Sequence, residues 1–175
     1  MIARLCAAAA ALVLAACATL APPPSPAPIL AEVPRSFEMV GRLAVRQGDR
    51  SEIAQLRWTR HGASDEWVIA SPFGNEVARI ESDSHGATLL RGGDAPERAA
   101  SFEELTRRAL GVALDPAWLA QGLHGHVPSG LPEGWQFTLD ETQPAGALRL
   151  ARRMTVRNGD TVVRLVVDSY RALGN

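Results

Sequence analysis

The sequence predicts a mostly-β domain of the α+β class: a single curved antiparallel sheet with two helices inserted in its middle. Three observations predict it. Apolar and polar residues alternate with period two through much of residues 40–91 and again after residue 135, the mark of strands with one dry and one wet side. Between those stretches, residues 101–123 change to a helical period and carry helix-capping residues. The breaks between neighbouring alternating runs are short, so successive strands pair in sequence order as a meander.

Taken in order, the chain begins with Arg4 and an apolar run, Leu5 to Leu14, of signal-peptide length and too short to span a bilayer. Leu14-Ala15-Ala16-Cys17 closes the run as a lipobox. Small residues before Cys17 let a signal peptidase reach the backbone, and the Cys17 thiol takes a diacylglyceryl group. Residues 1–16 are therefore expected to be a lipoprotein signal peptide and Cys17 the lipid anchor. Two or three acyl chains, palmitate among them, at roughly 0.8 kcal/mol per buried methylene, hold such a protein to its membrane. Ala18 follows where, in enteric-type sorting, an Asp would retain the protein in the inner membrane; this favours the outer membrane, on its periplasmic side. Residues 17–36 form a tether rich in proline, from Pro22 to Pro34. At roughly 3.1 Å per residue it reaches at most about 60 Å. The folded domain is expected over residues 37–175.

Val40 to Arg46 alternates, with Leu43 and Val45 on one side. Ala54 to Arg60 alternates more cleanly, with Ala54, Leu56 and Trp58 on one face and Gln55, Arg57 and Thr59 on the other. Residues 66–70 form a third strand, and 76–81 with 87–91 a further pair. Ser101-Phe102-Glu103-Glu104 is a capping box that opens a helix closed by Gly111. Asp115-Pro116 opens a second helix carrying Trp118, Leu119 and Leu123. Gly122 to Gly134 is rich in Gly and Pro and reads as loop. Trp135, Phe137 and Leu139 start the next strand, residues 147–156 the one after, and Asn158-Gly159-Asp160 turns into a last strand over residues 161–168. Two helices beside one sheet must bury their apolar stripes on it. The expected result is a concave apolar space.

Composition narrows the function. A formal net charge of −1 predicts neither nucleic-acid binding nor strong attraction to anionic headgroups. With Cys6 leaving in the signal and Cys17 lipidated, the mature body has no disulfide. His124-Gly125-His126 lacks spaced metal-ligand partners and reads as an exposed polar loop; no metal and no cofactor is expected. No Gly-x-Ser-x-Gly and no Gly-rich phosphate loop occurs, so an enzyme is not expected. Trp58, Trp118 and Trp135 fall on inferred apolar faces with Leu56, Leu119 and Phe137, where they pack a core or line a greasy cavity. Phe73 is out of place: it sits in a tight Pro72-Phe73-Gly74 connection where polar residues are the rule, either folded back as a plug or exposed as an apolar tip.

Several of these stretches together resemble the outer-membrane lipoprotein receptor family LolB. They are the lipobox at Cys17, Gly41-Arg42-Leu43, Trp58, Ser71-Pro72-Phe73-Gly74, Trp118-Leu119-Ala120-Gln121-Gly122, Gly134-Trp135, Pro144 before Leu148-x-Leu150, and Arg164-Leu165-Val166-Val167-Asp168. The resemblance implies an incomplete β-barrel with a helical lid over an apolar cavity. It implies a monomeric receptor that takes lipoprotein cargo from the periplasmic carrier LolA and places it in outer-membrane lipid. Pro72, Phe73 and Gly74 would form the membrane-release loop, and Leu56, Trp58, Trp118, Leu119, Trp135 and Phe137 the acyl cavity or its lid. Tyr170 stands where many members have Trp. Cargo acyl chains hold tens of methylenes, so shielding them from water is worth on the order of tens of kcal/mol. The alternative is a structural or assembly lipoprotein that docks a protein partner and binds no lipid.

Overall fold

The computed structural model describes residues 32–145 and 148–174. The expected signal peptide, Cys17 and most of the expected tether lie outside the described residues. The body is one nine-stranded antiparallel sheet with two helices. Six strands come first: β1 (Ser36–Gln47), β2 (Arg50–His61), β3 (Ser64–Ala70), β4 (Glu76–Asp83), β5 (Gly86–Arg91) and β6 (Glu97–Ala99). Helices α1 (Phe102–Leu110) and α2 (Pro116–Leu123) follow, then β7 (Gln136–Ala145), β8 (Leu148–Asn158) and β9 (Thr161–Ala172). Among the described residues no helix is long and apolar enough to cross a membrane.

The strand order is β6-β5-β4-β3-β2-β1-β9-β8-β7. Two meanders are thus joined by the pairing of the first strand with the last. The junction is tight. The register shifts between Val40 and Gly41, and a Cβ on Gly41 would stand 2.0 Å from the Val166 carbonyl oxygen. Only glycine lets β1 and β9 approach this closely, which explains the Gly41 of Gly41-Arg42-Leu43. Arg42 then pairs with Asp168 at 3.1 Å on the wet side.

The helices begin as the sequence predicts. The Ser101 hydroxyl accepts from the Glu104 N–H at 3.2 Å, and the Glu104 carboxylate accepts from the Ala100 N–H at 2.9 Å. Gly111 closes α1 with φ of 72°. Asp115 accepts from the Ala117 N–H at 2.6 Å, with Pro116 at the first turn of α2. Thr106 binds the connection to the helix: its hydroxyl donates to the Phe102 carbonyl and accepts from the Leu114 N–H, each at 3.0 Å.

Both helices lie on the apolar face of the sheet. α1 packs by β5 and β6, α2 by β8, and their buried side chains merge with those of β1, β2, β3, β8 and β9 into one core. To touch one cluster from strands so far apart in the order, the sheet must curl around the helices. Gly122 sets the approach of α2, since a Cβ there would come within 2.7 Å of the Phe137 ring and 2.9 Å of the Met154 sulfur.

Candidate functional site

Two features stand out from the residues upward: the dry space under the helices and the tip of the β3–β4 connection. Alternation sends Leu56 and Trp58 of β2 and Trp67 of β3 inward, and the register sets Trp58 directly opposite Trp67. Aromatic rings then run across the sheet. Tyr170 stacks on Phe37 at 5.8 Å between centroids, Phe37 meets Trp58 at 4.9 Å, Trp58 meets Trp67 at 5.5 Å, and Trp67 meets Phe102 of α1 at 4.8 Å. Offset and edge-on pairs of this kind are each worth about 0.5–1.5 kcal/mol beyond their burial.

Where the helices meet the middle of the sheet, side chains pack closely. Trp58, Leu105 and Leu123 have no accessible surface, and Leu119 and Met154 have 1%. Atoms lining a void wide enough for water stay accessible to it, so the protein's own side chains occupy the space these residues bound. Trp118 is buried at the roof, whereas Trp135 and Phe137 are only partly buried and sit at the margin. Trp135 packs on Trp118 at 6.5 Å. A cleft of about 500 Å³ lies elsewhere, near the β2–β3 and β4–β5 turns, lined by Thr59, His61, Glu66, Glu81, His85 and Arg98 among others. Its polar walls do not suit hydrocarbon.

Polar side chains pin the helices to the sheet at their ends. Arg60, in phase with Leu56 and Trp58, points inward. It meets Asp65 at 3.2 Å and donates to the Pro116 carbonyl at 3.2 Å, where α2 begins. Asp65 also accepts from Trp58 Nε1 at 2.6 Å. Burial pushes the Asp65 carboxyl up from its ordinary pKa, outweighing the opposing pull of Arg60 and the Trp58 hydrogen bond. At the other end of α2, His124 Nδ1 lies 2.7 Å from the Ala120 carbonyl and Nε2 lies 2.8 Å from the Tyr170 hydroxyl. A carbonyl only accepts, so Nδ1 carries the proton and Nε2 accepts from Tyr170. Burial, chiefly, pushes the His124 pKa down, and burial raises that of Tyr170 to about 12, so both stay neutral. Gln47 donates to the Gly111 carbonyl at 2.9 Å and fixes the end of α1.

The expectation that His124 lies in an exposed loop is corrected: it is fully buried. α2 runs through Gly122 and Leu123, which puts His124 at its C-cap under the helix, edge-on to Phe37 at 5.4 Å. Among the described residues no group of three His, Cys, Asp or Glu is placed to hold a metal. No motif in the sequence states the parts played by Phe37, Arg60 and Asp65. Their signal was phase: Arg60 continues the Leu56–Trp58 row, and Asp65 precedes Trp67 by two.

The tip is simple. The Gly74 N–H donates to the Ser71 carbonyl and the Ser71 N–H to the Asn75 carbonyl, both at 2.9 Å. Pro72 fits the second position of this turn, and Gly74 takes φ of 85°. Phe73 is left at the apex and is 92% exposed. It is a tip and not a plug.

The family model for outer membrane lipoprotein LolB matches residues 35–170. The chain belongs to the LolB family. Among LolB relatives, the outer-membrane lipoprotein LolB of Thiobacillus denitrificans is 34% identical, over 91% of this chain and 92% of its own. That of Azoarcus sp. is 29% identical over 91% and 90%, and that of Chromobacterium violaceum 36% over 77% and 80%. Among solved structures, a DUF1329 family protein from Desulfovibrio piger shares the fold, with a TM-score of 0.50 and 8% identity over 81% of this chain and 87% of its own. A LolA superfamily protein from Nitrosomonas europaea gives 0.45 and 8% over 80% and 87%. Membership in LolB makes this chain an outer-membrane lipoprotein. The stretch Trp118-Leu119-Ala120-Gln121-Gly122 has a physical reading in this LolB chain: three residues fill the roof, Gln121 accepts from the Ser129 N–H at 2.7 Å to hold the following loop, and Gly122 permits close packing. Tyr170 packs on Phe37 and supplies the hydroxyl that His124 needs.

Proposed function

We propose that this LolB protein, anchored through lipid on Cys17, accepts lipoproteins from the periplasmic carrier LolA and delivers them to the outer membrane, sheltering their acyl chains between the sheet and the two helices. The observation that carries this reading is a continuous aromatic and aliphatic face roofed by only two short helices, each pinned at its ends by a few polar contacts. Because the side chains fill the space when the roof is shut, cargo enters by lifting α1 and α2. Leu56, Trp58, Trp118 and Leu119 then meet the acyl chains, with Trp135 and Phe137 at the mouth. Removing hydrocarbon from water offsets the helix-on-sheet packing that opening disrupts. No bond is made or broken, so direction follows affinity, with the receptor above the carrier and the bilayer above both. Phe73, with Pro72 and Gly74 holding it outward, enters the bilayer at delivery.

Uptake of a fluorescent fatty-acyl probe by the body beginning at residue 32 tests the pocket. Uptake that Leu119→Glu abolishes is expected; no uptake by the unaltered body rejects the reading. The close packing at Trp58, Leu105, Leu119, Leu123 and Met154 favours one rival, a docking lipoprotein that binds no lipid, and the same absence of uptake would support it.

A further inference from the structure

We propose that the surface touching the bilayer is wider than the Phe73 tip: it is a three-point apolar corner formed by Ile53 on β2, Phe73 in the β3–β4 turn and Val77 on β4. This inference rests on the release-loop reading of Phe73 and extends it. Ile53 is 66% exposed and Val77 48%. Singly, exposed apolar residues need no explanation. These three share one place.

Leu56 and Trp58 face the core, so Ile53 and Gln55 point to the opposite side of β2. The Gln55 side chain donates to the Pro72 carbonyl at 3.2 Å, which ties that side of β2 to the turn bearing Phe73, one step from Ile53. On β4, Ala78 and Ile80 pack toward the core; Val77 lies at the bulge where Ile69 pairs with Ala78 but Ala70 with Glu76, and its side chain is 48% exposed. Val77 is the second residue of β4, just beyond the same turn. The charges behind the corner do not repel an anionic surface. Arg79 holds Glu76 at 2.8 Å and Glu66 at 3.1 Å, and Arg57 acts on Glu76 too. Beside Ile53, β1 presents Arg42, paired with Asp168, and Arg46, so these groups together leave one arginine in excess, which suits anionic headgroups.

The position of the tether commits the occupant to the anchoring membrane. Residue 36 starts β1 beside His61, whereas Ile53 pairs with Ala44, eight residues further along β1. At roughly 3.3 Å per residue that separation is about 26 Å. The chain from Cys17 to Ser36 has a greatest reach of about 60 Å. A lipid-anchored body can therefore stand with its corner on the membrane while its N-terminal end faces away and the tether runs back alongside. Val127 marks that far end: it follows His126, whose N–H donates to the Gln121 carbonyl at the close of α2, and it is 79% exposed.

The test uses the mature lipidated protein in vesicles of phosphatidylethanolamine and phosphatidylglycerol. Ile53→Cys, Phe73→Cys, Val77→Cys and Val127→Cys each carry an environment-sensitive fluorophore, and brominated lipid is the quencher. Labels at 53, 73 and 77 should shift to the blue and be quenched, while the label at 127 does neither. If 53 and 77 behave like 127 and only 73 is quenched, the corner is wrong and the release loop stands. If none is quenched, the release loop fails and takes the corner with it. A response at 53 and 77 only when loaded carrier is added would assign the surface to a protein and overturn the proposal.

Discussion

Phe73→Glu separates folding from delivery. The side chain is 92% exposed and its turn is held by backbone hydrogen bonds through Ser71, Gly74 and Asn75. Removing the ring therefore leaves the folded state within about 0.5 kcal/mol of the parent. In a bilayer the same ring is removed from water, a gain of about 1.5–3 kcal/mol. Losing that gain at the delivery step, at about 1.4 kcal/mol per factor of ten, slows transfer to membranes about 10- to 100-fold. Acceptance of cargo should be untouched, because Phe73 is exposed at the apex of its turn and takes no part in the helix–sheet core. The assay is a time course in which receptor loaded with an acylated lipoprotein is mixed with vesicles and bound cargo is separated from delivered cargo. Phe73→Leu keeps most of the apolar surface and should deliver nearly as fast as the parent. Equal delivery by the Phe73→Glu protein, with normal melting and normal loading, would refute the reasoning.

Other consequences concern the roof. Gly122→Ala places a methyl 2.7 Å from the Phe137 ring and lifts α2; after the gain in helix propensity the net cost is about 1–2 kcal/mol, seen as a drop of a few degrees in Tm, and acyl-probe uptake should quicken. Asp65→Asn leaves the Arg60 charge buried against a neutral group and should cost about 3–5 kcal/mol in denaturant titration. Burial raises the Asp65 pKa, so ionising that carboxyl is costly, and replacing Arg60 and Asp65 together by leucine should be less damaging than Asp65→Asn alone. His124 has its pKa depressed in the folded state, so its contribution to stability is present above the ordinary value of 6.5 and is lost as pH falls through the folded value. Melting followed from pH 7.5 down to pH 5 should show a loss of stability that His124→Gln flattens.

What could be read in advance follows from locality. The Leu56–Trp58 row, the Ser101 and Asp115 caps and the Asn158-Gly159 turn are local signals, and each produced its element. The strand β6 has three residues, Glu97-Arg98-Ala99, too few to alternate, and exists because β5 offers an edge beside it. The β1–β9 pairing joins opposite ends of the chain, so no local pattern states it; Gly41 alone hints at a close approach. His124 misled because Gly and Pro surround it, whereas its burial comes from the run of α2 onto Tyr170, 46 residues later. Alternation also says which face of a sheet is dry without saying what covers it. That is why the sequence shows the apolar face but leaves open whether Trp58 packs a core or lines a cavity.

The most direct measurement is transfer itself. LolA carrying a labelled lipoprotein is mixed with the body lacking the lipid anchor, and the cargo is followed between the two proteins. The account predicts that label moves to this protein, that a photoreactive acyl chain on the cargo crosslinks to residues 58 and 119 under the helices, and that the carrier is left empty. Cargo that stays on the carrier, with this protein folded and in excess, would contradict it.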